Sequence, residues 1–174
     1  MLAIERLNHL SRKQLKDEFL FCCDATRWAS MMVSLRPFLS EEDLYAKSLQ
    51  IWRALSEDDW VEAFNKSPQI GDHEALSGYP PHRLQLMAIE QAGTFTAVAR
   101  VLNAIEEANG LYRAKFGFNF VADVAGMDGR AILALLMERF HNNRPDELKI
   151  SMEAQAKITQ KRLHKLLELL APTL

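Results

Sequence analysis

Apolar residues recur at spacings of three and four along almost the whole chain, and the pattern lapses for long only between Ser67 and Pro81. Such a period lines one face of a helix, whereas a half-buried strand alternates every second residue. A chain patterned this way has to fold by packing helical faces together. Ser11-Arg12-Lys13-Gln14 has capping-box form, with Leu15, Phe19 and Cys22 at helical spacing behind it. Asp24 stands where it can cap a helix through Trp28, Met31, Met32 and Leu35, which Pro37 ends. Ser40 and Ser56 each precede acidic residues that suit the positive end of a helix dipole. One of these starts leads into Leu44, Leu49, Ile51, Trp52 and Leu55, the other into Trp60 and Phe64.

After the irregular segment, with its Pro68, Gly71, Gly78, Pro80 and Pro81, helix resumes near His82 and runs through Glu90. Gly93-Thr94 interrupts it before a long helix from about Ala97 to Lys115, for which Gly117 is the C-cap. Phe116 to Val121 reads as short and extended. Asp128 opens a helix bearing Ile132, Leu135, Leu136 and Phe140; Pro145 suits the first position of the last helix, which reaches about Leu170. No repeat or linker divides the chain. The expectation is a single all-α domain over residues 1–174, a bundle of about seven to nine helices with one short extended segment near 118–124.

Composition narrows the function. With 48% apolar and 25% charged residues over 174 positions, the chain has a globular composition and the length to bury a substantial core. A formal charge of −2 provides no field for nucleic acid or an anionic lipid surface. The basic residues from Lys157 to Lys165 lie on a periodic helix and read as a solvated face. No stretch is long and apolar enough to cross a bilayer. Glu5 and Arg6 break the first apolar run before it can resemble a signal peptide. Cys22 and Cys23 are adjacent, which disfavours a bond between them, and they follow Phe19, Leu20 and Phe21 like small buried hydrophobes. His9, His73, His82, His141 and His164 form no ligand pair on one helix, so no metal site is expected. A reducing cytoplasm fits best.

Two charged residues sit ambiguously. Arg162 continues the four-residue series Ile150, Ala154, Ile158 and is followed by Leu166, so it lies in line with apolar residues. It either snorkels at the core boundary or aims its planar donor fork at a carboxylate or ureido oxygen. Glu90 follows Leu86 by one turn; it either pairs at the surface or faces the irregular segment as an acceptor or acid–base group. Ser67, before Pro68, lacks a Gly-x-Ser-x-Gly elbow, which argues against a serine hydrolase.

Four segments in order carry more information than any one of them: Pro68-Gln69-Ile70-Gly71-Asp72, Glu90-Gln91-Ala92-Gly93, Tyr112 through Val121, and Lys157-Ile158-Thr159-Gln160-Lys161-Arg162-Leu163. Together they resemble the 2-oxo-4-hydroxy-4-carboxy-5-ureidoimidazoline (OHCU) decarboxylase family of urate breakdown, over nearly the full chain. The resemblance implies a lyase without cofactor or metal that releases carbon dioxide and gives (S)-allantoin. It implies a small ureidoimidazoline substrate, no nucleic-acid or membrane partner, and a homodimer of the kind common among lookalikes.

Within that resemblance the catalytic positions are Ser67, Glu90 and Arg162. Glu90 would hold ring or ureido nitrogens and Arg162 carboxylate or carbonyl oxygens. Pro68 would pack against the ring, Met87, Ala88, Ile89 and Gln91 would help hold the substrate, and the backbone of Phe120, Val121, Ala122, Asp123 and Val124 would line the pocket. The chain departs from the family at Ser67, where the pattern has a proton-handling histidine. Met87-Ala88-Ile89 is apolar where relatives often offer a hydroxyl. Asn119 replaces a common proline, a change expected to be harmless. Four accounts of Ser67 stand open: a substitution introduced to trap a ligand, a relative that binds a ureide without turnover, His73 or His82 supplying the imidazole, or Glu90 and Arg162 sufficing. A ureide- or purine-binding module on the same scaffold is the alternative function, and a helical adaptor a third.

Overall fold

A computed structural model describes residues 2–171. Those residues form eleven helices and no strand, so the all-α expectation holds, with a helix count above the seven to nine expected. The excess comes from short elements: α1 (Ala3–His9), the four-residue α6 (His73–Leu76) inside the irregular segment, and the four-residue α8 (Ala92–Phe95). None of the helices is long and apolar enough to cross a membrane. Contacts group the chain into two compact units: residues up to Lys66 with those from Gln155 onward, and Ser67–Ala154.

In the first unit, α2 (Arg12–Cys22) starts on Ser11, whose hydroxyl accepts from the Gln14 backbone N–H at 3.2 Å while Gln14 Oε1 takes the Ser11 N–H at 3.0 Å. The expected capping box is present. The expectation for Asp24 is corrected: the N-cap of α3 (Thr26–Ser34) is Ala25, which has no side chain to cap with. The Thr26 N–H and hydroxyl instead go to Glu62 at 3.1 and 2.6 Å, so a carboxylate from α5 (Glu57–Lys66) satisfies the helix start. Ser40 opens α4 (Glu41–Ala54) as expected. The core is aromatic. Trp28 and Phe19 meet edge-on at 5.7 Å, and the Trp28 indole N–H reaches the Ser48 carbonyl at 3.1 Å, so its one polar atom is satisfied inside the core.

Cys22 and Cys23 are free thiols buried in this unit. Burial, the largest influence, pushes the Cys23 thiol up to about 12. Because the folded chain holds that proton more tightly than an unfolded thiol does, its contribution to stability is complete below about pH 9 and is lost as pH rises toward 12. Unfolding titrations between those values should show stability falling with pH, and Cys23→Ala should flatten the slope. Folded protein at pH 8 should leave Cys23 unalkylated.

In the second unit, α7 (Pro81–Glu90) leads through α8 to α9 (Ala99–Phe116), which packs along α10 (Gly129–Phe140). Gly117 closes α9 in the left-handed region (φ 82°), donating to the Arg113 carbonyl at 2.9 Å, and Asp128 caps α10 through the Ala131 N–H at 2.8 Å. Both match expectation. α8 is crowded. A Cβ on Gly93 would lie 1.9 Å from the Met127 carbonyl oxygen and 2.9 Å from the Asp128 Cα, both backbone atoms that cannot swing aside. Gly93→Ala should therefore cost about 3 kcal/mol, at the upper end of overpacking effects, measurable as a lower denaturation midpoint.

The last helix, α11 (Arg144–Leu170), begins in the second unit and ends in the first. Pro145 is its second residue, one later than expected, because Asn143 Oδ1 caps it through the Asp146 N–H at 3.0 Å. Of the expected line, Arg162 and Leu166 are buried and Ala154 and Ile158 half-buried, but a polar line is buried as well. Glu147, Ser151, Gln155 and Thr159 are buried, whereas Ile150 is 42% exposed.

Candidate active site

The family-like loop is anchored by side chains from three directions. Asn119 Nδ2 donates to the Ser67 carbonyl at 3.3 Å, and Gln69 Nε2 donates to Asn119 Oδ1 at 3.1 Å. Asn109, on α9, donates to the Ile70 carbonyl at 3.0 Å. The Gly71 N–H donates to Gln91 Oε1 at 2.9 Å. Gly71 has φ 92°, where a side chain would be strained. Loop carbonyls and N–H groups with no helical partner must find side-chain partners when buried, and these amides supply them.

A second chain of bonds fixes the loop's far end. The Thr94 hydroxyl donates to the Gln91 carbonyl at 2.9 Å, and His73 Nε2 lies 2.9 Å from the Thr94 oxygen. With the hydroxyl proton spent on Gln91, the imidazole must be the donor at Nε2. The ring also stacks on Phe95 at 4.0 Å. His73 is thus occupied in holding the loop, and His82 is exposed near the start of α7.

The extended strip after Gly117 is buried from Phe118 to Ala122, and an arginine that the sequence reading passed over secures it. Arg139 Nη1 donates to the Val121 carbonyl at 2.7 Å, and its guanidinium lies 4.8 Å from the centre of the Phe120 ring. The same guanidinium pairs with Glu147 at 2.5 Å and donates to Ser151 at 3.0 Å. Glu147, 0% exposed, accepts further bonds from the Tyr112 hydroxyl and from Asn142 Nδ2 at 2.7 Å. Burial first, then the hydrogen bond to this carboxylate, raises the Tyr112 phenol above its usual range. Apolar periodicity does not by itself mark charged residues, although Arg139 stands on the buried face that Ile132 and Leu136 share. A signal did exist: Glu147 and Ser151 are one turn apart, on the line continued by Gln155 and Thr159.

The expected site residues divide as follows. Ser67, Pro68, Gln91 and Phe120–Val124 belong to the second unit, and Asn119 ties Ser67 directly to the segment bearing Phe120. Glu90 is the half-buried last residue of α7. Met87 is buried, Ala88 half-buried and Ile89 61% exposed. Arg162 belongs to the first unit. It is 8% exposed, donates from Nη1 to the Phe21 carbonyl at 3.2 Å, and lies over the Phe21 ring at 5.5 Å. A cavity of about 390 Å³ borders the loop, lined by Gln69 to Glu74, Leu102, Glu106 and Asn109, and none of the residues expected to hold substrate lines it. Among the described residues, no cluster of three or more histidine, cysteine or carboxylate side chains could hold a metal ion.

The chain is 33% identical over 152 residues to the uric acid degradation bifunctional protein TTL of Arabidopsis thaliana, covering 87% of this chain and 47% of that protein. It is 24% identical over 164 residues to the uric acid degradation bifunctional protein PucL of Bacillus subtilis (strain 168), covering 94% of this chain and 32% of that one. It thus spans half or less of the length of these curated relatives. Among solved structures, an OHCU decarboxylase crystallised in the presence of (S)-allantoin superposes with a TM-score of 0.73 and 31% identity, over 87% of this chain and 98% of the other. An (S)-allantoin synthase, 18% identical, shares the fold at a TM-score of 0.70, over 95% of this chain and 54% of that one. The family model described as OHCU decarboxylase matches residues 8–164, and with nearly the whole sequence inside that match the chain belongs to the OHCU decarboxylase family.

Proposed function

We propose that this chain decarboxylates 2-oxo-4-hydroxy-4-carboxy-5-ureidoimidazoline to (S)-allantoin in urate breakdown, in the cytoplasm and at a rate held down by Ser67. The observation carrying this reading is the family match over residues 8–164. When the carboxylate leaves as carbon dioxide, its bonding electron pair passes into the ring, whose own carbon–nitrogen double bond can accept it. The step calls for no cofactor. Product forms when a proton is delivered to one face of a ring carbon and the hydroxyl proton departs.

Under this reading Glu90 holds the ring or ureido nitrogens, and Arg162 takes a carboxylate or carbonyl oxygen with its donor fork. Pro68 packs against the ring; Met87, Ala88, Ile89, Gln91 and the backbone from Phe120 to Val124 complete the lining. Position 67 is where the resemblance implies a proton-handling histidine. A serine hydroxyl does not exchange protons near neutrality as imidazole does, which leaves orientation by Glu90 and Arg162 as the source of the remaining acceleration.

The test is to add freshly generated substrate and follow the circular dichroism of the product. Optically active allantoin formed faster than in free solution is expected. The uncatalysed rate from both this chain and its Ser67→His variant would sink the reading. Ser67 itself favours a second reading, a ureide-binding relative without turnover. That one predicts a thermal shift with (S)-allantoin and only uncatalysed rates from the unmodified chain.

A further inference from the structure

We propose that Asn119 is a positioning residue for position 67, holding whatever side chain stands there in register with the strip that follows Phe118; this rests on the decarboxylase reading above. Asn119 is 4% exposed and uses both ends of its amide on the loop, donating to the Ser67 carbonyl at 3.3 Å and accepting from Gln69 Nε2 at 3.1 Å. Its neighbours are bonded to α10. The Phe120 ring lies under the Arg139 guanidinium, and the Val121 carbonyl is held by Arg139 Nη1 at 2.7 Å. Arg139 is in turn locked to Glu147 and Ser151. The fixed side of this arrangement is therefore α10 and α11, and Asn119 passes that fixity to Ser67 and Gln69.

Asn119, expected from sequence to be a harmless replacement for proline, makes two bonds to the loop. Proline has no side-chain donor or acceptor, so neither bond could exist with it. The structure joins residues 67 and 119 by a hydrogen bond. Because Asn119 grips the backbone carbonyl of residue 67, its hold is independent of the side chain there. Its kinetic effect is not. Position matters steeply for a proton-transferring group and little for a hydroxyl that transfers none.

That asymmetry gives the test. Turnover is compared for Asn119→Leu and Asn119→Asp in the Ser67 chain and in the Ser67→His chain. In the Ser67→His background both substitutions should lower kcat by roughly 10–100-fold, as expected for ~1 Å of misplacement, whereas in the Ser67 background kcat should change by less than about threefold. Asn119→Asp keeps an acceptor for Gln69 but loses the donor to Ser67, so it separates the two bonds. Full activity in Asn119→Asp with loss in Asn119→Leu would overturn the proposal, as would equal losses in both backgrounds or no loss in either. If neither the Ser67 chain nor the Ser67→His chain is faster than free solution, the decarboxylase reading falls, and the backbone amide NMR signals of Ser67, Gln69 and Ile70 decide the positioning alone. Exchange broadening confined to them in Asn119→Leu upholds it, and unchanged signals overturn it.

Discussion

Ser67→His is expected to raise kcat for allantoin formation by about 10²–10⁴-fold, the usual worth of a positioned general acid–base group. The loop is suited to accept it. The bonds from Asn119, Asn109 and Gln91 reach the Ser67, Ile70 and Gly71 backbone and the Gln69 side chain, so these four do not depend on the side chain at position 67. The half-buried site at residue 67 is also no part of the packed core. Melting temperature should therefore move little while kcat rises, a split measurable on one protein preparation. His73 is expected not to fill the role, because its Nε2 is engaged with Thr94 and its ring with Phe95. His73→Ala should accordingly leave the pH dependence of the Ser67 chain's rate unchanged while loosening the loop.

Breaking the Arg139–Glu147 pair is expected to cost about 3–5 kcal/mol, since removing one member of a buried pair strands the other's charge without solvent or partner. Arg139→Met would leave the Glu147 carboxylate with only its neutral donors, Tyr112 and Asn142, and would free the Val121 carbonyl inside the unit. In a chain of this size such a loss should lower the melting temperature by about 6–20 °C. Arg139→Met combined with Glu147→Leu should recover part of the loss by removing both charges. It should not recover all of it, because the Val121 carbonyl still lacks its donor and the Tyr112 hydroxyl has lost the carboxylate. The damage should also reach function by letting the 120–124 strip shift, seen as a raised KM in the stable Ser67→His background.

What could be read from the sequence was local. Ser11, Ser40, Asp128 and Gly117 cap their helices through bonds to residues three or four positions away, and such spacings are visible in a linear chain. What escaped notice was long-range. Thr26 is capped by Glu62, 36 residues on, and no pattern near Asp24 could show that a distant carboxylate takes that place. The expected line of the last helix is buried at Arg162 and Leu166, yet Ile150 is exposed and Glu147, Ser151, Gln155 and Thr159 are buried as well. Polar residues can be buried when partners are prearranged, and partners are tertiary information. Asn119 is the same lesson within the site: what it does lies in bonds that span 50 and 52 positions. Ser67 was legible as a departure because the surrounding motif is contiguous, whereas the roles of Glu90 and Arg162 came from resemblance and not from their own spacing.

The central claim, that residue 67 is the proton-handling position of an OHCU decarboxylase, is tested most directly by the pH–rate profile. kcat for the unmodified chain and for Ser67→His should be measured across pH 5 to 9 with fresh substrate. The account predicts a limb with a midpoint near pH ~6.5, the ordinary imidazole value, in the Ser67→His profile alone. Two profiles of the same shape, with or without a change in overall rate, would contradict it.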